Sequence, residues 1–159
     1  MRLGLSREEA NEVRRAAELH DIGKLAIPES ILSKPGELPG DEWQFVRQHT
    51  VIGERILSAA PSLTACSKIV RSSHEWWDGS GYPDGVAGEA IPLASRVVAV
   101  CDAFEAMTST RPYRASRTVT EAVAELRRCA GTQFDPSVVR ACVAELESER
   151  LLEVANASD

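Results

Sequence analysis

Apolar residues recur every three or four positions along most of the chain, which is the spacing of amphipathic helices. The clearest example follows Pro92, where the apolar positions are Leu93, Val97, Val100, Cys101, Phe104 and Met107. No segment of useful length alternates strictly between apolar and polar residues, as a half-buried strand would. The pattern therefore predicts an all-α protein.

Local signals indicate where several of these helices begin and end. The segments Ser6–Glu9 and Thr118–Glu121 both have the S/T-x-x-E spacing of a capping box. The first should open a helix that runs to about Asp21, and the second a helix that Gly131 closes. A last long helix should begin after Asp135, because Asp followed by Pro is typical of a helix start.

Proline and glycine divide the middle of the chain. Segment 27–40 contains three prolines and two glycines, so it should be mostly loop with at most a short helical turn. A long helix should begin near Pro39 and end before Pro61. Its apolar side is expected to carry Phe45, Ile52 and Ile56.

A loop rich in Gly, Asp and Pro follows a further predicted helix over about 63–73. The loop, 72–88, contains Trp76 and Trp77. Because large aromatic side chains are costly to leave in water, we expect this pair to pin the loop to the core.

Composition narrows the classes of protein. The chain of 159 residues has 43% hydrophobic residues, enough for one domain with a real core. The net charge of −6 argues against broad nucleic-acid binding, and no apolar run has the length of a transmembrane helix. The four cysteines are scattered without a CxxC pair, which favours reduced, mostly buried thiols. We therefore expect a cytoplasmic protein with neither a nucleic-acid nor a membrane partner.

Few residues of the sequence are candidates for metal binding or catalysis. The chain has three histidines, His20, His49 and His74, and His20 is followed directly by Asp21. Imidazole and carboxylate are suitable ligands for Fe, Mn or Zn, although such residues are also common as surface groups, helix caps or hydrogen-bonded core residues. Asp102 lies in the apolar helix after Pro92, where a buried carboxylate needs either a metal or a basic partner on another helix.

Segment 109–117 contains three arginines and no acidic residue. Guanidinium groups bind phosphate through two parallel hydrogen bonds, so the segment suits an anionic ligand. A solvated charged loop is the alternative interpretation.

Long motifs in the chain resemble the HD-GYP domain, a branch of the HD metal-dependent phosphohydrolases. The resemblance extends from about Leu3 to the last helix, and it rests on HDIGKLAIPESILSKPGEL, RQHTVIGERIL, HEWWDGSGYPDGVAGEAIPLASRVVAVCDAFEAMTSTRPYR and GTQFDP. It implies an all-α HD-domain helical bundle that hydrolyses the bacterial second messenger cyclic di-GMP. It also implies two or three metal ions, usually iron or manganese.

The resemblance also implies roles for individual residues. The metal ligands would be His20, Asp21, His49, His74 and Asp102, with Asp21 bridging two ions. Catalysis would depend on Asp21 and Lys24, and the phosphates of cyclic di-GMP or a related nucleotide would contact Lys24, Arg111 and Arg114. The loop Gly81-Tyr82-Pro83 would be a place for a signalling-protein partner.

The chain departs from the family in two places. Ser73 precedes His74 where the family has two adjacent histidines, and the family's earlier ligand-bearing helix would lie upstream of Met1. We therefore expect 1–150 to be an HD-GYP domain lacking that helix, followed by a frayed tail at 151–159.

Three functions stay open on this evidence. The first is a cyclic di-GMP phosphodiesterase with a weakened metal site. The second is a degenerate module that binds nucleotide or a signalling partner without turnover. The third is an HD phosphohydrolase that acts on another nucleotide.

Overall fold

The computed structural model describes residues 3–34, 36, 38–110 and 115–156. Short 3₁₀ turns lie at Ile22–Ala26, Pro61–Leu63 and Gly88–Ala90, and within the described residues no strand forms. The all-α prediction is therefore confirmed. The helices are α1 (Arg7–Leu19), α2 (Glu29–Leu32), α3 (Gly40–Arg47), α4 (His49–Ser58), α5 (Thr64–Arg71), α6 (Leu93–Thr108), α7 (Val119–Arg128) and α8 (Pro136–Asn156).

Both predicted capping boxes are confirmed. The Ser6 hydroxyl accepts a hydrogen bond from the Glu9 amide, and the Glu9 carboxylate accepts one from the Ser6 amide. Thr118 and Glu121 make the same exchange at the start of α7. Each box satisfies backbone donors that would otherwise lack partners at a helix start.

The predicted long helix after Pro39 is in fact two helices, because the α-helical pattern breaks at Gln48, whose amide donates to the Phe45 carbonyl. The prediction that Phe45 and Ile56 face the core is also wrong, because Phe45 is 45% exposed and Ile56 is 42% exposed. The inward side carries Val46, His49, Thr50, Gly53 and Leu57. The hydrophobic pattern did not predict this face because polar residues such as His49 and Thr50 occupy buried positions on it.

Helix α6 joins the two parts of the core. Its Val98 packs in a cluster with residues of α1, α4 and α5, among them Ala16, Leu57 and Val70. Its Val100 and Met107 pack in a second cluster with Ala122 and Leu126 of α7 and with Val138 and Val143 of α8. Phe134, which precedes α8, belongs to the same cluster. Asp102 therefore lies on the helix that both clusters hold in place.

The loop after α5 is fixed mainly through its backbone. The Trp77 amide donates to the Gln133 carbonyl at 3.1 Å, and the Asp78 amide donates to the Thr132 carbonyl at 2.9 Å. The Arg96 guanidinium lies over the Trp77 ring. Trp76 is 38% exposed, so the prediction that both tryptophans pin the loop is wrong for Trp76.

The C-terminal helix α8 continues to Asn156, beyond the boundary predicted at 150. No described helix combines the length and apolarity that a membrane crossing requires. All four cysteines are free, and Cys66 and Cys129 are buried while Cys101 is exposed.

Candidate metal centre

All three histidines meet two aspartates at one place in the bundle. His20 caps the C-terminus of α1 and Asp21 follows it, while His49 is the first residue of α4. His74 follows the end of α5, and Asp102 lies within α6. Four separate segments therefore bring the five predicted metal ligands together.

One group within this cluster consists of Asp21, His49 and His74, whose ligand atoms all lie within 4.8 Å of one another. Asp21 Oδ1, His49 Nε2 and His74 Nε2 are buried, and no described residue forms a hydrogen bond with them. Buried polar atoms without partners are unfavourable, and three of them facing one another are unusual in a folded protein. A metal ion among them would satisfy all three, so this donor set fits a divalent cation.

A second group shares Asp21 with the first. His20 Nε2 lies 3.5 Å from Asp21 Oδ1 and 3.4 Å from Asp102 Oδ1. Asp21 Oδ1 also lies 3.6 Å from His49 Nε2, so it stands between the two groups. This is the arrangement that a carboxylate bridging two ions would need.

Backbone carbonyls orient two of the imidazole rings. His20 Nδ1 lies 2.7 Å from the Ala17 carbonyl oxygen, and His49 Nδ1 lies 2.8 Å from the Val46 carbonyl oxygen. A carbonyl can only accept, so each Nδ1 carries the proton and each Nε2 faces the cluster. Metal-binding histidines are commonly held in this way.

The three histidines of the cluster have pKa values shifted in different directions. The hydrogen bond to Asp102 raises the pKa of His20 to about 9. Burial lowers the pKa of His74 to about 4 and also lowers the pKa of His49. Two rings are thus neutral, as metal binding requires, and the carboxylates hold a proton on the third that a cation could replace.

Lys24 and Gly23 complete the turn that carries Asp21. Lys24 Nζ lies 2.6 Å from Asp21 Oδ2, which leaves Oδ1 for the histidines. A Cβ atom on Gly23 would overlap the His49 carbonyl oxygen and lie 2.7 Å from the Gly53 nitrogen. Glycine therefore allows the turn to pack directly against α4.

The loop at Gly81–Pro83 supports His74. The Tyr82 ring stacks on the His74 ring at 5.1 Å between centroids, with planes 10° apart. The Tyr82 amide donates to the His74 carbonyl at 3.1 Å, and a Cβ on Gly81 would lie 2.6 Å from that oxygen. The Glu75 carboxylate holds the far side of the loop by accepting from the Asp84 and Gly85 amides.

Sequence reasoning missed Arg47. Its guanidinium lies 5.0 Å from the Tyr82 ring centroid and 5.6 Å from that of Trp43. The only signal was its position two residues before His49, which by itself did not distinguish it from a surface arginine.

Ser73 lies next to the cluster, but its hydroxyl faces the backbone. The side chain is buried, and Oγ donates to the Val70 carbonyl at 2.9 Å. A cavity of about 50 Å³ is lined by Ser73, His74 and Asp102 among others. The predicted phosphate contacts Arg111 and Arg114 lie outside the described residues.

Comparison with known proteins now identifies the family. The sequence pattern of the HD domain matches residues 1–138. The chain belongs to the HD domain family. Over 141 residues this HD domain is 48% identical to the cyclic di-GMP phosphodiesterase response regulator RpfG of Xanthomonas campestris, covering 87% of the chain and 37% of the relative. Over 138 residues it is 38% identical to the 3'3'-cGAMP-specific phosphodiesterase 2 of Vibrio cholerae, covering 86% and 26%.

The fold of this HD domain also resembles a solved structure. The crystal structure of a cyclic GMP-AMP-specific phosphodiesterase of Vibrio cholerae, V-cGAP3, aligns with a TM-score of 0.72 and 23% identity, covering 94% of the chain and 41% of that protein. The HD domain therefore spans less than half of the length of each of these proteins.

Proposed function

We propose that this HD domain is a metal-dependent phosphodiesterase of HD-GYP type that hydrolyses cyclic di-GMP. The observation that carries the proposal is the set of unpartnered buried ligand atoms on Asp21, His49 and His74. The similarity to a relative named as a cyclic di-GMP phosphodiesterase supports the choice of substrate. A signalling partner at the loop Gly81–Pro83 stays a prediction.

Two ions would divide the cluster between them. Asp21, His49 and His74 would hold one, and His20, Asp21 and Asp102 would hold the other. Imidazole and carboxylate ligands suit iron or manganese. When bound, such ions act as Lewis acids that stabilise negative charge on phosphoryl oxygens and lower the pKa of water.

The protein's own residues would orient the substrate and offset its charge. Hydrolysis forms a bond from phosphorus to a water oxygen, breaks a bond from phosphorus to a ribose oxygen, and returns a proton to that leaving oxygen. The Lys24 ammonium group, which lies beside Asp21, would donate to a phosphoryl oxygen as charge develops. Arg111 and Arg114 would hold the phosphates from the neighbouring segment.

A hydrolysis assay tests this proposal. Protein loaded with manganese, and with ferrous iron under anaerobic conditions, is incubated with cyclic di-GMP, and the products are separated by chromatography. We expect an opened dinucleotide or mononucleotide, and no product after chelation. If the folded, metal-loaded protein binds cyclic di-GMP and leaves it intact, the binding module is the correct interpretation.

Replacing Ser73 with histidine should raise the affinity for manganese. The new ring would enter the cavity between residue 73 and Asp102, where it adds an imidazole beside His74. Since a lost supporting group commonly costs 10–100-fold in metal affinity, an added ligand should increase affinity by about tenfold or more. Calorimetric titration with manganese measures the change.

Ser73→Ala is the matched control, because it removes only the hydroxyl that bonds to Val70. It should leave manganese affinity unchanged. Equal affinities of wild type and a correctly folded Ser73→His variant would show that position 73 does not face the metal centre.

Replacing both Arg111 and Arg114 with alanine should weaken cyclic di-GMP binding. Each lost charge-assisted hydrogen bond is worth about 1.5–3 kcal/mol, or roughly a 10- to 150-fold increase in Kd. Calorimetry compares the double variant with Arg140→Ala, which removes an exposed arginine of α8. A double variant that binds cyclic di-GMP as tightly as wild type would show that these arginines do not contact the ligand.

A further inference from the structure

Arg47 is a cation beside the metal centre without an anionic partner in the described part of the chain. It ends α3, and its guanidinium lies over the rings of Trp43 and Tyr82. Its Nε is buried and unpaired, and no described residue forms an ion pair with it. The guanidinium therefore has a donor that no described residue of the protein satisfies.

The same arginine lines a small cavity with Gln44, Gln48, Tyr82 and Pro83. The cavity has a volume of about 230 Å³. This is below the roughly 300–1,000 Å³ of sites that enclose a whole drug-sized ligand, so it suits one ring system and not a whole dinucleotide. Tyr82, which lines the cavity, also stacks on His74. The Tyr82 ring therefore lies between the cavity and the candidate metal centre.

The arginine in this cavity distinguishes guanine from adenine, whereas its two glutamines can pair with either base. Arginine has donors and no acceptor, whereas glutamine amides both donate and accept. Guanine presents two adjacent acceptors, O6 and N7, which an arginine binds bidentately. Adenine has an amino donor in place of O6, which would face the guanidinium donor to donor.

We propose that this cavity is a guanine-binding subsite and that Arg47 selects guanine over adenine in the cyclic dinucleotide. The inference rests on the proposed function, which it deepens by assigning base recognition to a named residue. The rings of Trp43 and Tyr82 hold the guanidinium plane before the ligand arrives, which reduces the entropy lost on binding. Gln44 and Gln48 supply acceptors for the N1–H and amino group of guanine.

Binding to three cyclic dinucleotides tests the inference. Cyclic di-GMP, 3'3'-cGAMP and cyclic di-AMP carry two, one and no guanines, and calorimetry in the presence of chelator excludes turnover. We expect the wild-type chain to bind cyclic di-GMP about tenfold or more tightly than cyclic di-AMP, with 3'3'-cGAMP between them. Arg47→Ala should bring the ratio close to one, mainly through weaker binding of cyclic di-GMP.

Two further variants separate base recognition from charge and folding. Arg47→Lys keeps the charge but lacks the two-pronged donor, so it should also lose most of the preference. Arg55→Ala removes an exposed arginine of α4 with the same change in net charge, and it should keep the preference. Circular dichroism checks the fold, and Arg47→Lys carries the test if Arg47→Ala does not fold.

The outcomes are distinguishable. Equal weakening of all three ligands by Arg47→Ala overturns the inference, because a cation that holds only phosphate does not distinguish bases. An unchanged preference in the folded Arg47 variants also overturns it. A wild-type protein that binds the three ligands equally, or that binds none of them, refutes the subsite, whereas the hydrolysis assay with metal-loaded protein tests the proposed function separately.

Discussion

Replacing Asp21 with asparagine should abolish metal binding and hydrolysis while leaving the fold intact. Asp21 Oδ1 faces His20 and His49, and it belongs to both candidate ligand groups. Asparagine has nearly the same shape but removes the negative charge that both ions would share. Because changes outside the direct ligands already cost 10–100-fold, we expect a loss of at least about 100-fold in activity.

Metal content after gentle purification and the rate of cyclic di-GMP hydrolysis measure this effect. Asp41→Asn is the control, because it makes the same chemical change on an exposed residue in the first turn of α3. It should retain both metal and activity. An Asp21→Asn protein with the metal content and rate of wild type would mean that the chemistry occurs elsewhere.

Replacing Gly23 with alanine should destabilise the protein and separate the metal ligands. The added methyl group would overlap the His49 carbonyl oxygen, and the overlap is with backbone that cannot rotate away. Forcing atoms into a packed site costs about 1–3 kcal/mol and occasionally more. Any relief requires the turn that carries Asp21 to move away from the start of α4, so manganese affinity should fall as well.

Chemical denaturation and manganese titration measure the two effects. Gly40→Ala is the matched control, because a Cβ at that position of α3 meets no atom within 4 Å. Its stability should be unchanged or higher by up to about 1 kcal/mol, as alanine is favoured over glycine in helices. A Gly23→Ala protein as stable as Gly40→Ala, with unchanged metal affinity, would contradict the packing described for this turn.

The parts of the fold that depend on local chemistry were predictable from the sequence. The capping boxes at Ser6 and Thr118 form as expected because each involves residues three positions apart. The prediction failed between α3 and α4, where His49 and Thr50 occupy buried positions that a hydrophobic pattern assigns to apolar residues. Polar residues occupy part of the core there, and Phe45 and Ile56 lie on the exposed side.

The sequence predicted which residues form the candidate site, but it did not predict how their side chains are arranged. The resemblance named all five residues that the structure brings together, and their role as ligands stays a proposal. The carbonyls that orient His20 and His49, and the close approach at Gly23, depend on tertiary packing that spacing does not reveal. Arg47 was missed because one of its two ring contacts, Tyr82, comes from a separate segment of the chain, although Trp43 lies on the same helix.

Anomalous diffraction from crystals grown with manganese tests the central claim most directly. The account predicts a manganese peak among Asp21 Oδ1, His49 Nε2 and His74 Nε2, and a second peak between His20 and Asp102 at higher manganese concentration. Well-ordered crystals that show manganese elsewhere, with the Asp21 cluster free of metal at every concentration, would contradict it.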